Sequence, residues 1–183
     1  MAKKKALELL SQDHKASYRK LFRYMHALLN SNFGYTISLE KDWFGSVEFS
    51  TFKRFFICLD RNRRRFLEKC KPLIEVNGYH LKGPYRGIFL TTVSIDANYG
   101  IYPLAMCVAK TGNNYPWQYF MYKLYDQMGY NGGEWLYFIS DKHKGVLNAL
   151  DRVFLLSLKR YYYRHIYTIF KQNFPRLLRK KVF

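Results

Sequence analysis

Acidic residues are scarce in this chain. Its 183 residues include 13 Asp and Glu against 31 Lys and Arg, which gives a formal net charge of +18. None of the acids follows Asp151. A small protein this basic attracts polyanions, and nucleic acid is the usual one. We therefore expect a nucleic-acid partner, although a solvated basic surface is the plain alternative and charge does not distinguish DNA from RNA.

Cysteine and long apolar runs are also scarce. The three cysteines, Cys58, Cys70 and Cys107, are odd in number and form no C-x-x-C pair, which argues against a disulfide framework or a zinc site built from them. No apolar run is long enough for a membrane-spanning helix, and Glu8 interrupts the N-terminal apolar stretch. We expect an intracellular protein in a reducing compartment, with no membrane contact.

Hydrophobic residues make up 49% of the chain and aromatic residues 19%, a composition typical of a packed core. The length suits one domain. Periodicity predicts helices at residues 3–29, Phe52–Cys70, Pro116–Met128 and His143–Phe154. It predicts strands at Tyr35–Leu39, Leu73–Val76, Gly87–Ile95, Tyr102–Ala109 and Trp135–Ile139. Residues 40–51 look like a connector, and Arg160–Tyr167 fits either a fifth core strand or the start of a helix.

This order predicts an α/β fold, with a mixed sheet flanked by helices and an N-terminal helical segment. A division follows from it, with a mostly helical region at residues 1–70 and a core domain at 71–183. Asn98-Tyr99-Gly100 is typical of a hairpin turn between the second and third core strands, and Asp96 is expected to shape that turn.

Four phrases are more specific than the periodicity. They are PLIEVNGYHLKGPY at 72–85, LTTVSIDAN at 90–98 followed by GIYPLA at 100–105, FISDKHKG at 138–145, and RHIY at 164–167. In this order and spacing the chain resembles the catalytic core of plant Mutator-like element (MULE) transposases over nearly its whole length. Those proteins are usually longer, so the chain looks like a central fragment. The resemblance implies a ribonuclease H-like fold.

The resemblance also implies a catalytic site that is incomplete here. In intact relatives three acidic residues hold two Mg²⁺ or Mn²⁺ ions for cut-and-paste cleavage of DNA, and hard divalent ions require carboxylate ligands. Asn77 stands at the position of the first acid, and Asp141 matches the second. The third is a downstream Glu, whereas this chain has no acid after Asp151. We expect Asp141 to be a vestigial ligand and no metal to bind tightly.

Alternatives apply to several of these residues. Asn77-Gly78 alone is typical of a hairpin turn, although the resemblance favours a strand that ends near Asn77. Asp141 alone could be a helix N-cap. Glu75 should point away from the face of Val76 and is not counted as a metal ligand. A C-x-x-H pair of the family is broken, because Tyr162 stands three residues before His165.

The resulting interpretation is a transposase-derived nuclear protein that has lost catalysis. The alternative is a domesticated basic DNA-binding module with a regulatory role, and a nuclease with substitute acids is a third hypothesis. DNA is the expected partner, and oligomers with related transposases are possible. The residues proposed to contact DNA are Lys82, Arg86, Lys142, Lys144, Arg160 and Arg164. The Arg61–Arg65 cluster fits a solvated helix face or a DNA contact equally well.

Overall fold

The computed structural model describes residues 16, 18, 20–43, 50–82, 86–110, 115–128 and 133–162. Helix α1 comprises residues 20–31, with residues 16 and 18 also helical. The elements that follow are β1 (Thr36–Trp43), β2 (Ser50–Cys58), α2 (Asp60–Lys69), β3 (Leu73–Leu81), β4 (Gly87–Ile95), β5 (Ile101–Lys110), α3 (Tyr115–Met128), β6 (Tyr137–Ser140), α4 (Lys144–Val153) and β7 (Leu158–Tyr161).

The seven strands of the described residues form one sheet in the order β1-β2-β5-β4-β3-β6-β7. β3, β4 and β5 form an antiparallel meander, and β6 and β7 continue the sheet in parallel from β3. The five strands from β5 to β7 thus have the predicted ribonuclease H-like order, and the α/β prediction is confirmed. β1 and β2 extend the sheet beyond β5 with antiparallel pairing.

Helices α3 and α4 make the two crossovers that the parallel strands require, and they pack against each other. Every second side chain along a strand points to the same face of the sheet, as the two-residue period of a strand requires. On one face these side chains pack against α3. The Phe56 ring of β2 lies 6.0 Å from the Phe120 ring of α3, and Val76 and Leu90 are buried in the same cluster. This layer forms the hydrophobic core.

Most predictions for the core region are confirmed. β4 has the predicted bounds, and α3, α4, β5 and β6 differ from theirs by one or two residues. The predicted hairpin joins β4 to β5, where the Asp96 carboxylate accepts hydrogen bonds from the backbone N–H groups of Asn98 at 2.9 Å and Gly100 at 2.8 Å. Between them Tyr99 has a positive φ of 62°. Arg160–Tyr167 was predicted as either a strand or the start of a helix. In the described part of that range, Arg160 and Tyr161 belong to strand β7.

The predicted helix at Phe52–Cys70 is wrong over its first half. Residues 50–58 form strand β2, and the helix begins only at Asp60. The predicted connector at 40–51 is correspondingly too long, because β1 continues to Trp43. The physical reason is burial on both sides of β2, where Phe55 and Phe56 point to opposite faces and both are buried. Two adjacent buried residues disguise the alternation by which a half-exposed strand is detected.

Asn77-Gly78 is not a turn, and β3 does not end there. The strand continues to Leu81, and Asn77 pairs with Thr91 of β4. The reason for the glycine lies on the other face, where a Cβ on residue 78 would be 2.5 Å from the Trp117 ring. The glycine therefore admits the close approach of α3 to the middle of β3.

At the two ends of the chain the predictions are tested only in part. Residues 20–31 confirm the end of the N-terminal helix, where the Asn32 side chain donates to the backbone oxygen of Leu28 at 3.1 Å. Residues 1–15 lie outside the described part, as do Arg164 and His165. The division at residue 70 stays a prediction. No helix of the described residues is long and apolar enough to span a membrane.

We predict that Gly78→Ala destabilises the fold by about 1–3 kcal/mol, because the new methyl group overlaps the Trp117 ring. Thermal or urea unfolding followed by circular dichroism measures this change. The control is Gly100→Ala, where the nearest atoms are the side-chain oxygens of half-buried Asp96 at 3.1 and 3.2 Å. Equal losses in the two variants would show that the Trp117 contact does not determine the residue at position 78.

Candidate functional site

The parallel pairing of β3 with β6 brings the two predicted acid positions together. Val76 pairs with Ser140, Asn77 is the next residue along β3, and Asp141 is the first residue after β6. Neighbouring strands lie about 5 Å apart, so the backbones of Asn77 and Asp141 lie side by side at one level of the sheet. The two positions are therefore neighbours in the fold.

The side-chain amide of Asn77 is engaged within the protein. Its Nδ2 donates to Glu75 Oε1 at 2.8 Å and to the Tyr162 hydroxyl oxygen at 3.2 Å. The amide nitrogen, not the amide oxygen, therefore points toward the nearest carboxylate. Asn77, Glu75 and Tyr162 are all partly buried, where hydrogen bonds of this kind are stronger than at the surface.

Tyr162 closes this arrangement into a triangle. Its hydroxyl hydrogen-bonds the Glu75 carboxylate, and its backbone N–H donates to the Ser140 carbonyl at 3.2 Å. Burial, the hydrogen bond to Glu75 and the negative charge of that residue all raise the pKa of the Tyr162 hydroxyl far above its ordinary value. The phenol is therefore protonated and acts as a donor to Glu75. We call Glu75, Asn77 and Tyr162 the amide triangle.

Asp141 lies in the turn that leads from β6 into α4. Its Oδ1 accepts a hydrogen bond from the His143 backbone N–H at 3.1 Å. The N-cap of α4 is His143, whose Nδ1 accepts from the Gly145 N–H at 3.1 Å. The alternative that Asp141 is the N-cap is thus wrong, and its carboxylate shapes the turn before the helix.

Glu75 is a site residue that the sequence analysis did not include. It does point away from buried Val76, as expected, but this places it on the same face as Asn77 because residues two apart in a strand share a face. The two-residue spacing of Glu75 and Asn77 indicates that they share a face. That inference requires β3 to continue through Asn77, which was not predicted.

The donor set at this position does not fit the two-metal centre that the resemblance implies. A hard divalent ion requires anionic oxygen ligands, whereas Asn77 is neutral and presents N–H groups to Glu75 and Tyr162. Within the described ranges no group of three or more His, Cys, Asp or Glu side chains is arranged to hold a metal. Of the two positions that the resemblance matches to acids, Asp141 bears a carboxylate and residue 77 bears an amide.

Thiol chemistry has little support at any of the three cysteines, which are free. Burial raises the pKa of the Cys58 and Cys107 thiols to about 12, and it also raises the pKa of Cys70. Because the thiolate is the nucleophile, these thiols are poorly reactive at neutral pH.

Four of the six residues proposed to contact DNA lie at one end of the sheet. Lys82 directly follows β3, Arg86 directly precedes β4, and Lys142 and Lys144 follow β6. Because β3 and β6 are parallel, their carboxyl ends point the same way, and Lys142 and Lys144 lie close to Asn77 and Asp141 in sequence and register. Lys82 and Arg86 lie further out, since Lys82 is five residues beyond Asn77, or about 17 Å along the strand. All four are exposed.

The two other proposed residues are not grouped in this way. Arg160 lies within β7, where its Nη1 donates to the Lys159 carbonyl at 3.2 Å, and Arg164 lies outside the described residues. Lys142 also has an internal contact, with its Nζ 5.3 Å from the centre of the Tyr161 ring.

The arginines of α2 have mostly structural contacts. Arg63 pairs with Asp60 at 2.9 Å, Arg64 also pairs with Asp60, and Arg65 lies 3.7 Å from Asp96. Hydrogen bonds and charge from Arg64 and Arg63 lower the pKa of Asp60 despite its burial. These contacts favour a structural role for the Arg61–Arg65 cluster over a DNA contact.

Comparison with known families gives one match. The family model described as the MULE transposase domain matches residues 73–169, which is more than half of the chain. The match begins at the first residue of β3 and includes the amide triangle and Asp141. No curated protein matches the chain.

We predict that Tyr162→Phe lowers the free energy of unfolding by about 1 kcal/mol, because the amide triangle loses a hydroxyl between two polar groups. The matched control is Tyr161→Phe, since Tyr161 is 40% exposed and should tolerate the loss of its hydroxyl. In a double-mutant cycle with Asn77→Ala, a coupling energy of at least about 0.5 kcal/mol is expected. Independent effects of the two substitutions would contradict the hydrogen bond between them.

Proposed function

We propose, because this chain belongs to the MULE transposase domain family, that it is a transposase-derived protein that binds DNA but does not cleave it. The family match establishes the transposase ancestry. The loss of cleavage and the retention of DNA binding are proposals, and separate observations support each of them. The nucleus is the compartment in which such a protein would meet its DNA.

The amide triangle supports the loss of cleavage. In two-metal cleavage of a phosphodiester, the ions stabilise the attacking and leaving oxygens. Carboxylates hold such ions because their negative charge offsets the desolvation of the cation. Asn77 supplies no charge, and its N–H groups are directed to Glu75 and Tyr162. A cation at this position would have to compete with those hydrogen bonds for Glu75.

The charge distribution supports DNA binding. The chain has a formal net charge of +18. Exposed Lys142 and Lys144 follow Asp141, and exposed Lys82 and Arg86 lie further out at the same end of the sheet, where β3 ends and β4 begins. Phosphate contacts by lysine and arginine supply most of the affinity in sequence-independent binding of DNA. We infer that this basic end of the sheet contacts the DNA backbone.

Incubation with supercoiled plasmid tests the loss of cleavage. In Mg²⁺ or Mn²⁺ the wild-type protein should nick no faster than Asp141→Ala. Metal-dependent nicking that is lost in Asp141→Ala would refute the proposal. If that nicking were also lost in Glu75→Ala but kept in Tyr162→Phe, Glu75 would be the acid that replaces the missing one.

Fluorescence anisotropy with a labelled duplex tests DNA binding. Lys82→Ala/Lys144→Ala should bind more weakly than the wild type, and the slope of log affinity against log salt should be shallower by about 1.8, because each phosphate contact contributes about 0.9. The control Lys69→Ala/Arg152→Ala removes the same charge from two exposed residues in the last turns of α2 and α4. Equal losses of affinity in the two double variants would contradict a DNA contact that is specific to the basic end.

A further inference from the structure

A cleft of about 830 Å³ lies between α1 and the sheet. Its sheet side includes Lys41 of β1, Phe52 of β2 and Lys110 of β5, and its helix side includes Phe22. Leu81, the last residue of β3, and Arg86, which directly precedes β4, also line it. The cleft therefore opens at the same end of the sheet as Lys82, on the side of β1 and β2.

The charges of the cleft have one sign. Lys41, Arg86 and Lys110 are exposed, and none of the described residues that line the cleft is acidic. Three cations around an apolar depression attract an anion, and the depression itself offers no countercharge. An uncharged apolar ligand would leave this arrangement unexplained.

Aromatic side chains in the cleft remain open to solvent. Phe22 is 50% exposed and Tyr18 is 37% exposed. Tyr18 lies with its ring centre 5.0 Å from that of Phe52, and the Lys41 Nζ lies 5.7 Å from the centre of the Phe22 ring. Exposed aromatic rings beside cations suit a ligand that combines planar rings with negative charges.

We propose that this cleft binds single-stranded DNA, with phosphates against Lys41 and Lys110 and a base stacked on Phe22. In duplex DNA the base faces are covered by their stacked neighbours, so only an unpaired strand can present them to Phe22. The volume of the cleft suits a ligand of one or two nucleotides. This inference rests on the proposed DNA binding and adds an adjoining surface, which shares Arg86 with the basic end but has a different preference.

The position of the cleft agrees with this role. Gly87 of β4 lines the cleft and pairs both with Leu81 of β3 and with Lys110 of β5. The cleft thus continues from the end of β3, next to Lys82 of the basic end. A duplex held at the basic end would bring a frayed or displaced strand to the cleft without crossing the sheet.

Fluorescence anisotropy with a labelled oligothymidylate and a labelled duplex of equal length tests this proposal on the full chain. Lys41→Ala/Lys110→Ala should weaken oligothymidylate binding roughly ten-fold, with a salt slope shallower by about 1.4, since each single-strand contact contributes about 0.7. Lys69→Ala/Arg152→Ala is the control of equal charge and should change oligothymidylate binding by less than about two-fold.

Phe22 variants test the stacking. Phe22→Ala and Phe22→Leu should each weaken oligothymidylate binding at least about five-fold, whereas Phe22→Trp should retain it. Leucine keeps apolar volume and removes the aromatic face, so a loss in Phe22→Leu with an unchanged circular dichroism melting curve separates stacking from misfolding.

The outcomes distinguish the two proposals. If the duplex binds but the oligothymidylate does not, or if cleft and control variants behave alike, the cleft proposal is wrong and DNA binding at the basic end stands. If neither DNA binds at low salt, both proposals fail. If the cleft variants change only the sedimentation of the protein, the cleft is an interface between copies of the chain. If they change only binding of the duplex, the cleft is part of the duplex site. Either result overturns the proposal.

Discussion

The pairing of β3 with β6 is the constraint on which the rest of this structure depends. β3 is antiparallel to β4 on one side and parallel to β6 on the other, so it joins the meander to the crossover half of the sheet. Gly78 in the middle of β3 lets Trp117 of α3 approach closely. With α3 fixed there, β6 is placed so that Asp141 emerges beside Asn77. The sheet, the helix layer and the candidate site thus all depend on β3.

The amide triangle links two departures from the family pattern that look unrelated in sequence. Asn77 stands where the resemblance implies an acid, and Tyr162 stands where it implies a cysteine, 85 positions further along the chain. In the fold the two side chains contact each other, and both contact Glu75. A neutral amide, hydrogen-bonded to Glu75 and Tyr162, thus occupies the position at which the resemblance implies an acid. The two substitutions form one structural unit, and together they tie β7 to β3.

Much of the core was predictable because its signals are local. The hairpin after Asp96 depends on neighbouring residues, and the strand β4 and the helices α3 and α4 depend on periods within a few turns or residues. β2 was predicted as a helix because burial on both faces removed its alternation. The end of β3 was misplaced because the apolar run breaks at Asn77-Gly78 and the resemblance favoured a strand end there, whereas the glycine is required by Trp117, a residue of another element.

By itself the sequence determined the ancestry, the charge and the amide at residue 77, because each is a property of residue types in order along the chain. Tertiary structure decided what surrounds that amide. It placed Tyr162 on the amide of Asn77, paired Arg65 of α2 with Asp96, and gathered Lys41, Arg86 and Lys110 around exposed aromatic rings. The physical reason is that these contacts join distant segments, and strand pairing and helix packing, which no local period encodes, bring those segments together.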